Sequence, residues 1–130
     1  INLSNSSIER YITNSGSITG TGSSNSNYGI YLNGSTIGGD ITNSGNITSN
    51  GSGSYDSGYG MYLIGPSINI INSGIISGRG SASSAGYGIE ARSHGDKGNI
   101  NNLGVVFGSI SAVNGDSTVN NYGILTAEGK

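Results

Sequence analysis

Ile12 to Gly20 read ITNSGSITG and Ile41 to Ser49 read ITNSGNITS, two nearly identical nonapeptides set 29 positions apart. Self-similarity at a period of roughly 20 to 50 residues marks stacked repeats, whose equivalent segments must match because each lies on the next. The echo continues. Gly16 in NSG is followed by Gly45 in NSG, Gly74 in NSG, Gly104 in NLG and Gly123 in NYG, at intervals of 29, 29, 30 and 19 residues. Around each glycine two aliphatic positions keep a separation of six: Ile12 and Ile18, Ile41 and Ile47, Ile70 and Ile76, Ile100 and Val106, Val119 and Leu125.

A second unit recurs beside the first. YGIYL at Tyr28 to Leu32 returns as YGMYL at Tyr59 to Leu63, as YGIEA at Tyr87 to Ala91, and in degenerate form as GSISA at Gly108 to Ala112. Its alternation is that of a strand, with Ile30 and Leu32 on one face and Tyr31 on the other. No segment sustains a helical period. Short strands separated by Gly, Asn and Ser, none of which can bury its aliphatic face alone, predict an all-β right-handed parallel β-helix, or β-solenoid. The distance from the first unit to the second differs between copies, and the last copy is the shortest. That pattern implies about five rungs of ~19 residues, three of them carrying Gly/Ser-rich insertions of about ten residues. The insertions, at residues 20–27, 49–58 and 78–86, read as loops and as places for contacts. At ~4.8 Å per rung the rod is roughly 20 to 25 Å long.

The columns have physical reasons. The isoleucines stack inward as an aliphatic ladder. The glycines occupy a corner that needs either positive φ or close backbone approach. Asn14, Asn43, Asn72, Asn102 and Asn121 precede that corner by two residues, where a side-chain amide ladder satisfies turn backbone groups from coil to coil.

Composition fits this reading. Gly, Ser and Asn number 25, 24 and 17 of the 130 residues, which alone would suggest disorder. The fixed placement of Ile, Val and Leu opposes it, and the whole chain, residues 1–130, reads as one domain. There is no cysteine, hence neither disulfide nor thiolate metal site. With five Lys and Arg, a net charge of −2 and no basic block, the footprint of a nucleic-acid binder is missing. No apolar run approaches the ~18 residues of a membrane span, so any membrane attachment belongs to parts outside this chain.

The motif I-T-N-S-G-x-I followed by a Y-G-I strand, in a cysteine-free chain rich in Gly, Ser and Asn, resembles the passenger domains of bacterial autotransporters and the related filamentous-haemagglutinin-type exoproteins. The resemblance covers about Ile8 to Ala127. It implies an extracellular β-helical segment, secreted or displayed at the bacterial outer surface, that serves adhesion, autoaggregation or a stalk. Its partners would be a host or bacterial surface protein or glycan. The start at Ile1 without Met fits an internal piece of a longer protein. The family carries over no catalytic residue, because the matching positions are corner and core positions.

A β-helix can also be a polysaccharide-active enzyme, which needs two carboxylates within several ångströms. Asp40, Asp56, Glu90, Asp96, Asp116 and Glu128 fall at unrelated places in the repeat, so the reading is non-catalytic, with no cofactor and no metal. The densest charged stretch, EARSHGDKG, holds Glu90, Arg92, His94, Asp96 and Lys97 and reads more simply as a solvated corner than as a ligand site. Tyrosine is more suggestive, with eight copies beside one Phe and no Trp. Tyr28, Tyr59 and Tyr87 form one expected column beside the insertions, and Tyr31 and Tyr62 a shorter outward pair. These five are the candidate binding residues, since tyrosine contacts glycans and proteins with both an apolar ring and a polar tip. A β-helix also leaves an open rung at each end, which raises an alternative: the subunit of an extracellular filament that associates end to end.

Overall fold

The computed structural model describes residues 1–22, 26–51, 57–80, 86–93, 98–113 and 117–126. Within them every regular element is a strand, and every pairing is parallel. Three sheets of five strands run along the molecule. The first holds Asn2–Ser4, Ser26–Asn33, Ser57–Gly65, Tyr87–Ser93 and Ser109–Val113. The second holds Ile12–Asn14, Ile41–Asn43, Asn69–Asn72, Asn99–Asn102 and Thr118–Asn121. The third holds Ser17–Gly22, Asn46–Gly51, Ile75–Arg79, Val105–Phe107 and Ile124–Thr126. A two-stranded patch, Ser7–Ile8 with Thr36–Ile37, bridges the first and second sheets early in the chain. Because the chain visits the three sheets in the same order on each circuit, the fold is the parallel β-solenoid that the repeat predicts.

The register confirms the columns. Ile12, Ile41, Ile70, Ile100 and Val119 stack in the second sheet, and Ile18, Ile47, Ile76, Val106 and Leu125 in the third. The first sheet contributes Ile30, Met61 and Ile89 to the same core, beside Leu32 and Leu63. Residues in the middle rungs are wholly buried, which removes roughly 1.5 to 3 kcal/mol worth of apolar surface from water for each large side chain.

Buried among these aliphatics is the asparagine ladder. Asn14 Nδ2 donates to Asn43 Oδ1, Asn43 to Asn72, Asn72 to Asn102 and Asn102 to Asn121, each at 2.8 Å. The same amides reach the corner carbonyls of Gly16, Gly45, Gly74 and Gly104. A buried polar group without partners is costly, so a complete ladder is the condition for having amides there at all.

Each of the three sheets has five strands, and ladder partners lie 29, 29, 30 and 19 residues apart, so three turns are lengthened by insertions and the last is short. One expectation is corrected: the insertions are not simply loops. Third-sheet strands run on to Gly22, Gly51 and Arg79, and first-sheet strands begin as early as Ser26 and Ser57. The two sheets face one another so closely there that no side chain fits at the glycine positions. A Cβ at Gly20 would collide with the Tyr28 carbonyl, one at Gly58 with that of Arg79, and one at Gly78 with that of Tyr87. Ser49, fully buried, donates to the Asn27 carbonyl at 2.7 Å. The Gly and Ser content that reads as turn chemistry is thus what lets two backbones touch. The innermost parts, 23–25, 52–56 and 81–85, lie outside the described residues.

Of the two reasons for glycine at the NxG corners, close backbone approach holds at Gly45, Gly74, Gly104 and Gly123, where a Cβ would meet the carbonyl of the preceding corner glycine, and none of them uses positive φ. Among the described residues, left-handed backbone occurs at Asn5, Gly34 and Gly108, on the corner leaving the first sheet and just before its last strand. Asparagine tolerates that region better than other side chains, which accounts for Asn5 standing opposite Gly34.

Candidate functional site

The outer face of the first sheet carries the tyrosines. Strict alternation would put Tyr28 and Tyr31, three residues apart, on opposite faces. The sheet breaks alternation at Gly29, Gly60 and Gly88, where two successive residues point inward. Glycine is required at that step. A Cβ at Gly29 would lie 2.7 Å from both the Gly60 carbonyl and Ile47 Cγ2, and one at Gly60 would lie 2.6 Å from both the Gly88 carbonyl and Ile76 Cγ2. The irregularity rotates Tyr28, Tyr59 and Tyr87 onto the same side as Tyr31 and Tyr62.

The result is a single cluster in place of two separate columns. Tyr28 stacks on Tyr59 with ring centroids 5.3 Å apart, and Tyr59 on Tyr87 at 5.0 Å. Tyr31 stacks on Tyr62 at 5.7 Å. Cross-links are tilted or edge-on: Tyr28 to Tyr31 at 4.7 Å, Tyr28 to Tyr62 at 5.5 Å and Tyr59 to Tyr62 at 5.0 Å. Both geometries are favourable for the aromatic quadrupole, at roughly 0.5 to 1.5 kcal/mol per pair. All five rings are half-buried. Stacking along the rod covers most ring faces, so what the strip offers to solvent is chiefly ring edges and phenolic hydroxyls.

The strip has a charged end. Glu90 stands in register with Tyr62, replacing a third tyrosine in the shorter column. It is only 5% exposed and pairs with Arg92, whose Nε donates to Glu90 Oε1 at 2.7 Å. The Arg92 guanidinium lies 5.7 Å from the centre of the Tyr62 ring, within cation–π range. Burial pushes the Tyr59 hydroxyl above the usual tyrosine value, reinforced by the nearby Glu90 carboxylate. Tyr62 is raised for the same leading reason, with Arg92 opposing and Glu90 adding to it. Glu90 and Arg92, taken from sequence as part of a solvated corner, therefore belong to the aromatic strip. The signal was available in the register, since the position of Glu90 in YGIEA is that of Tyr31 in YGIYL. His94, Asp96 and Lys97 of the same stretch lie outside the described residues.

Among the described residues, no three His, Asp or Glu side chains come together as a metal-ligand set. Among the described residues, no helix is long and apolar enough to cross a membrane.

Fold and site together define a class, a parallel β-solenoid with an external tyrosine strip closed by an ion pair. No protein-family model, curated protein or solved structure matches the chain.

Proposed function

We propose that the chain is a non-catalytic segment of a secreted or cell-surface β-solenoid, and that its tyrosine strip makes adhesive contact with a protein or glycan on a host or bacterial surface. The observation that carries this reading is the convergence of Tyr28, Tyr31, Tyr59, Tyr62 and Tyr87 on one exposed face. A structural cover for the coil would not require the alternation break that brings the two columns together. Phenolic edges and hydroxyls, with Arg92 and Glu90 at one end, suit a hydroxyl- or carbonyl-rich partner that meets both apolar and hydrogen-bonding groups at once. The sequence resemblance to autotransporter passengers supports the same placement outside the cell.

The test compares the wild-type chain with a Tyr31→Leu/Tyr62→Leu variant on immobilised glycans and on bacterial and epithelial cell surfaces. Leucine keeps apolar cover for the sheet while removing ring edges and hydroxyls. Losing two central contacts of the hot-spot kind should weaken binding roughly 10- to 100-fold, while circular dichroism shows the variant still folded although its melt falls with the lost ring contacts. Retention of wild-type binding by the variant, or absence of any binding by the wild-type chain, refutes the assignment.

A further inference from the structure

The tyrosine strip is the part of the chain most open to oxidation. Thiols and thioethers give way readily in most proteins, but this chain has no cysteine, and its one methionine, Met61, is wholly buried in the core. Tryptophan is absent too. The readily oxidised side chain that remains is tyrosine, and five of the eight tyrosines are gathered on one face.

Their geometry is that of a coupling site. Tyr59 and Tyr87 are register partners on adjacent strands, and their rings lie parallel within 7° with centroids 5.0 Å apart. This is the tightest of the parallel pairs, since Tyr28 and Tyr59 lie at 5.3 Å and 19°, and Tyr31 and Tyr62 at 5.7 Å and 6°. Equivalent side chains stacked in this way set like edge beside like edge, so the carbons ortho to the two hydroxyls are neighbours. Those edges are also what the half-buried rings show to solvent. The contacts within a strand, Tyr28 with Tyr31 and Tyr59 with Tyr62, are tilted by 56° and 77° and do not align their edges.

We infer that the strip is a cross-linking site, at which an oxidant of the haem-peroxidase class, fed by hydrogen peroxide, joins Tyr59 to Tyr87. Each phenol gives up one electron and one proton to become a phenoxyl radical. The two radicals form a carbon-carbon bond between ortho positions, and the hydrogen on each bonded carbon then moves to oxygen, restoring two phenols. Peroxide takes up the two electrons and two protons and leaves as two waters. The rings swing from stacked to edge-joined, which their open outer edges permit. The bond staples neighbouring rungs through residues 28 apart in the chain, the restraint a disulfide would supply in a chain that had cysteine. It needs no partner on the strip, so it stands apart from the adhesive reading.

The experiment treats the dilute chain with a haem peroxidase and hydrogen peroxide, then digests it with trypsin for mass spectrometry. Trypsin cuts after Arg79 and Arg92, so the link ties peptide 11–79 to peptide 80–92 with the loss of two hydrogens. Fragmentation should place the bond at Tyr59 and Tyr87, with Tyr11 and Tyr122 unlinked although they are 61% and 77% exposed. The product should stay monomeric on a denaturing gel, show dityrosine fluorescence, and melt roughly 10 °C above the untreated chain. Tyr59→Phe and Tyr87→Phe keep a stacking ring but cannot form the phenoxyl. Each should keep the wild-type far-ultraviolet circular dichroism and lower the yield of joined peptides at least tenfold, whereas Tyr28→Phe should leave that yield unchanged. Joined peptides that persist in Tyr59→Phe overturn the inference, as do links that fall mainly on Tyr11 or Tyr122 or between molecules, or a wild-type chain that forms no dityrosine.

Discussion

Replacing Asn72 by alanine tests whether the amide ladder holds the coil together or merely fills it. Asn72 is fully buried. Its Nδ2 reaches Asn102 Oδ1 at 2.8 Å, the Gly74 carbonyl at 3.2 Å and the Val105 carbonyl at 3.4 Å, and its Oδ1 accepts from Asn43 at 2.8 Å. Alanine orphans Asn102 Oδ1 in the core, at about 2 kcal/mol for a buried acceptor left without its donor. The two longer carbonyl contacts add about 1 kcal/mol together. Asn43 Nδ2 keeps the Gly45 and Ile75 carbonyls, so its loss is small. The expected destabilisation is therefore about 3 kcal/mol, a large share of the ~5 to 15 kcal/mol that holds a typical domain folded. Urea unfolding followed by circular dichroism would read it as a lower midpoint at unchanged slope, and thermal melting as a drop of roughly 10 °C.

Two companions make the reasoning specific. Asn121→Ala removes one acceptor at an exposed end and is expected to cost less than about 1 kcal/mol. Asn72→Asp keeps the shape but replaces donors by a charge facing carbonyl oxygens, so at neutral pH it should be at least as damaging as alanine. Equal costs at positions 72 and 121, or an aspartate variant as stable as wild type, would refute the ladder's energetic role.

Alkaline titration is expected to find tyrosines that ionise late. Tyr59 and Tyr62 are held above the usual value of 10.0, chiefly by burial. The folded state thus keeps protons that the unfolded chain releases. Their contribution to stability is intact below about pH 10 and is lost as pH rises through the folded values. Phenolate absorbance that follows free tyrosine at every site, or stability that is flat across that window, would contradict this. Gly78→Ala pushes a methyl into the Tyr87 carbonyl and to within 2.5 Å of the Gly58 carbonyl, forcing the two close-packed sheets apart. It is expected to cost about 1 to 3 kcal/mol and to disturb the near-ultraviolet circular dichroism of the tyrosines, since Tyr87 stacks on Tyr59. A variant with wild-type melt and spectrum would mean the sheets tolerate separation.

The columns were legible in the sequence because stacking imposes identity at a fixed offset. Ile41 and Ile70 must resemble each other to lie one above the other, and Asn43 must be matched by Asn72 for either to be buried. What failed was inference from local chemistry. Glycine and serine between Thr19 and Tyr28 read as a loop, since turn-forming residues and residues that allow two backbones to touch are the same residues. The strict period-two rule separated Tyr28 from Tyr31, and only the steric need for glycine at position 29, which depends on the neighbouring rung, reunites them. The first strand, Asn2–Ser4, carries no YG signature and is recognisable only by Leu3 lying beside Leu32. Glu90 reads from its charged sequence neighbours as a solvated corner, whereas the rung register places it in the column of Tyr31 and Tyr62.

The offset between ladder partners also sets how the chain must fold. Partners lie 19 to 30 residues apart, so no strand can pair with its equivalent in the next rung before a sizeable loop has closed. Closure entropy grows only slowly with length, and a 30-residue circuit costs about 0.4 kcal/mol more than a 19-residue one. The short final turn therefore has almost no head start. The advantage goes to wherever the longest strands meet, at Ser57–Gly65 between Ser26–Asn33 and Tyr87–Ser93. Once two rungs there have joined, each further rung finds a template already formed, and the coil grows outward from its middle, with its ends last to order.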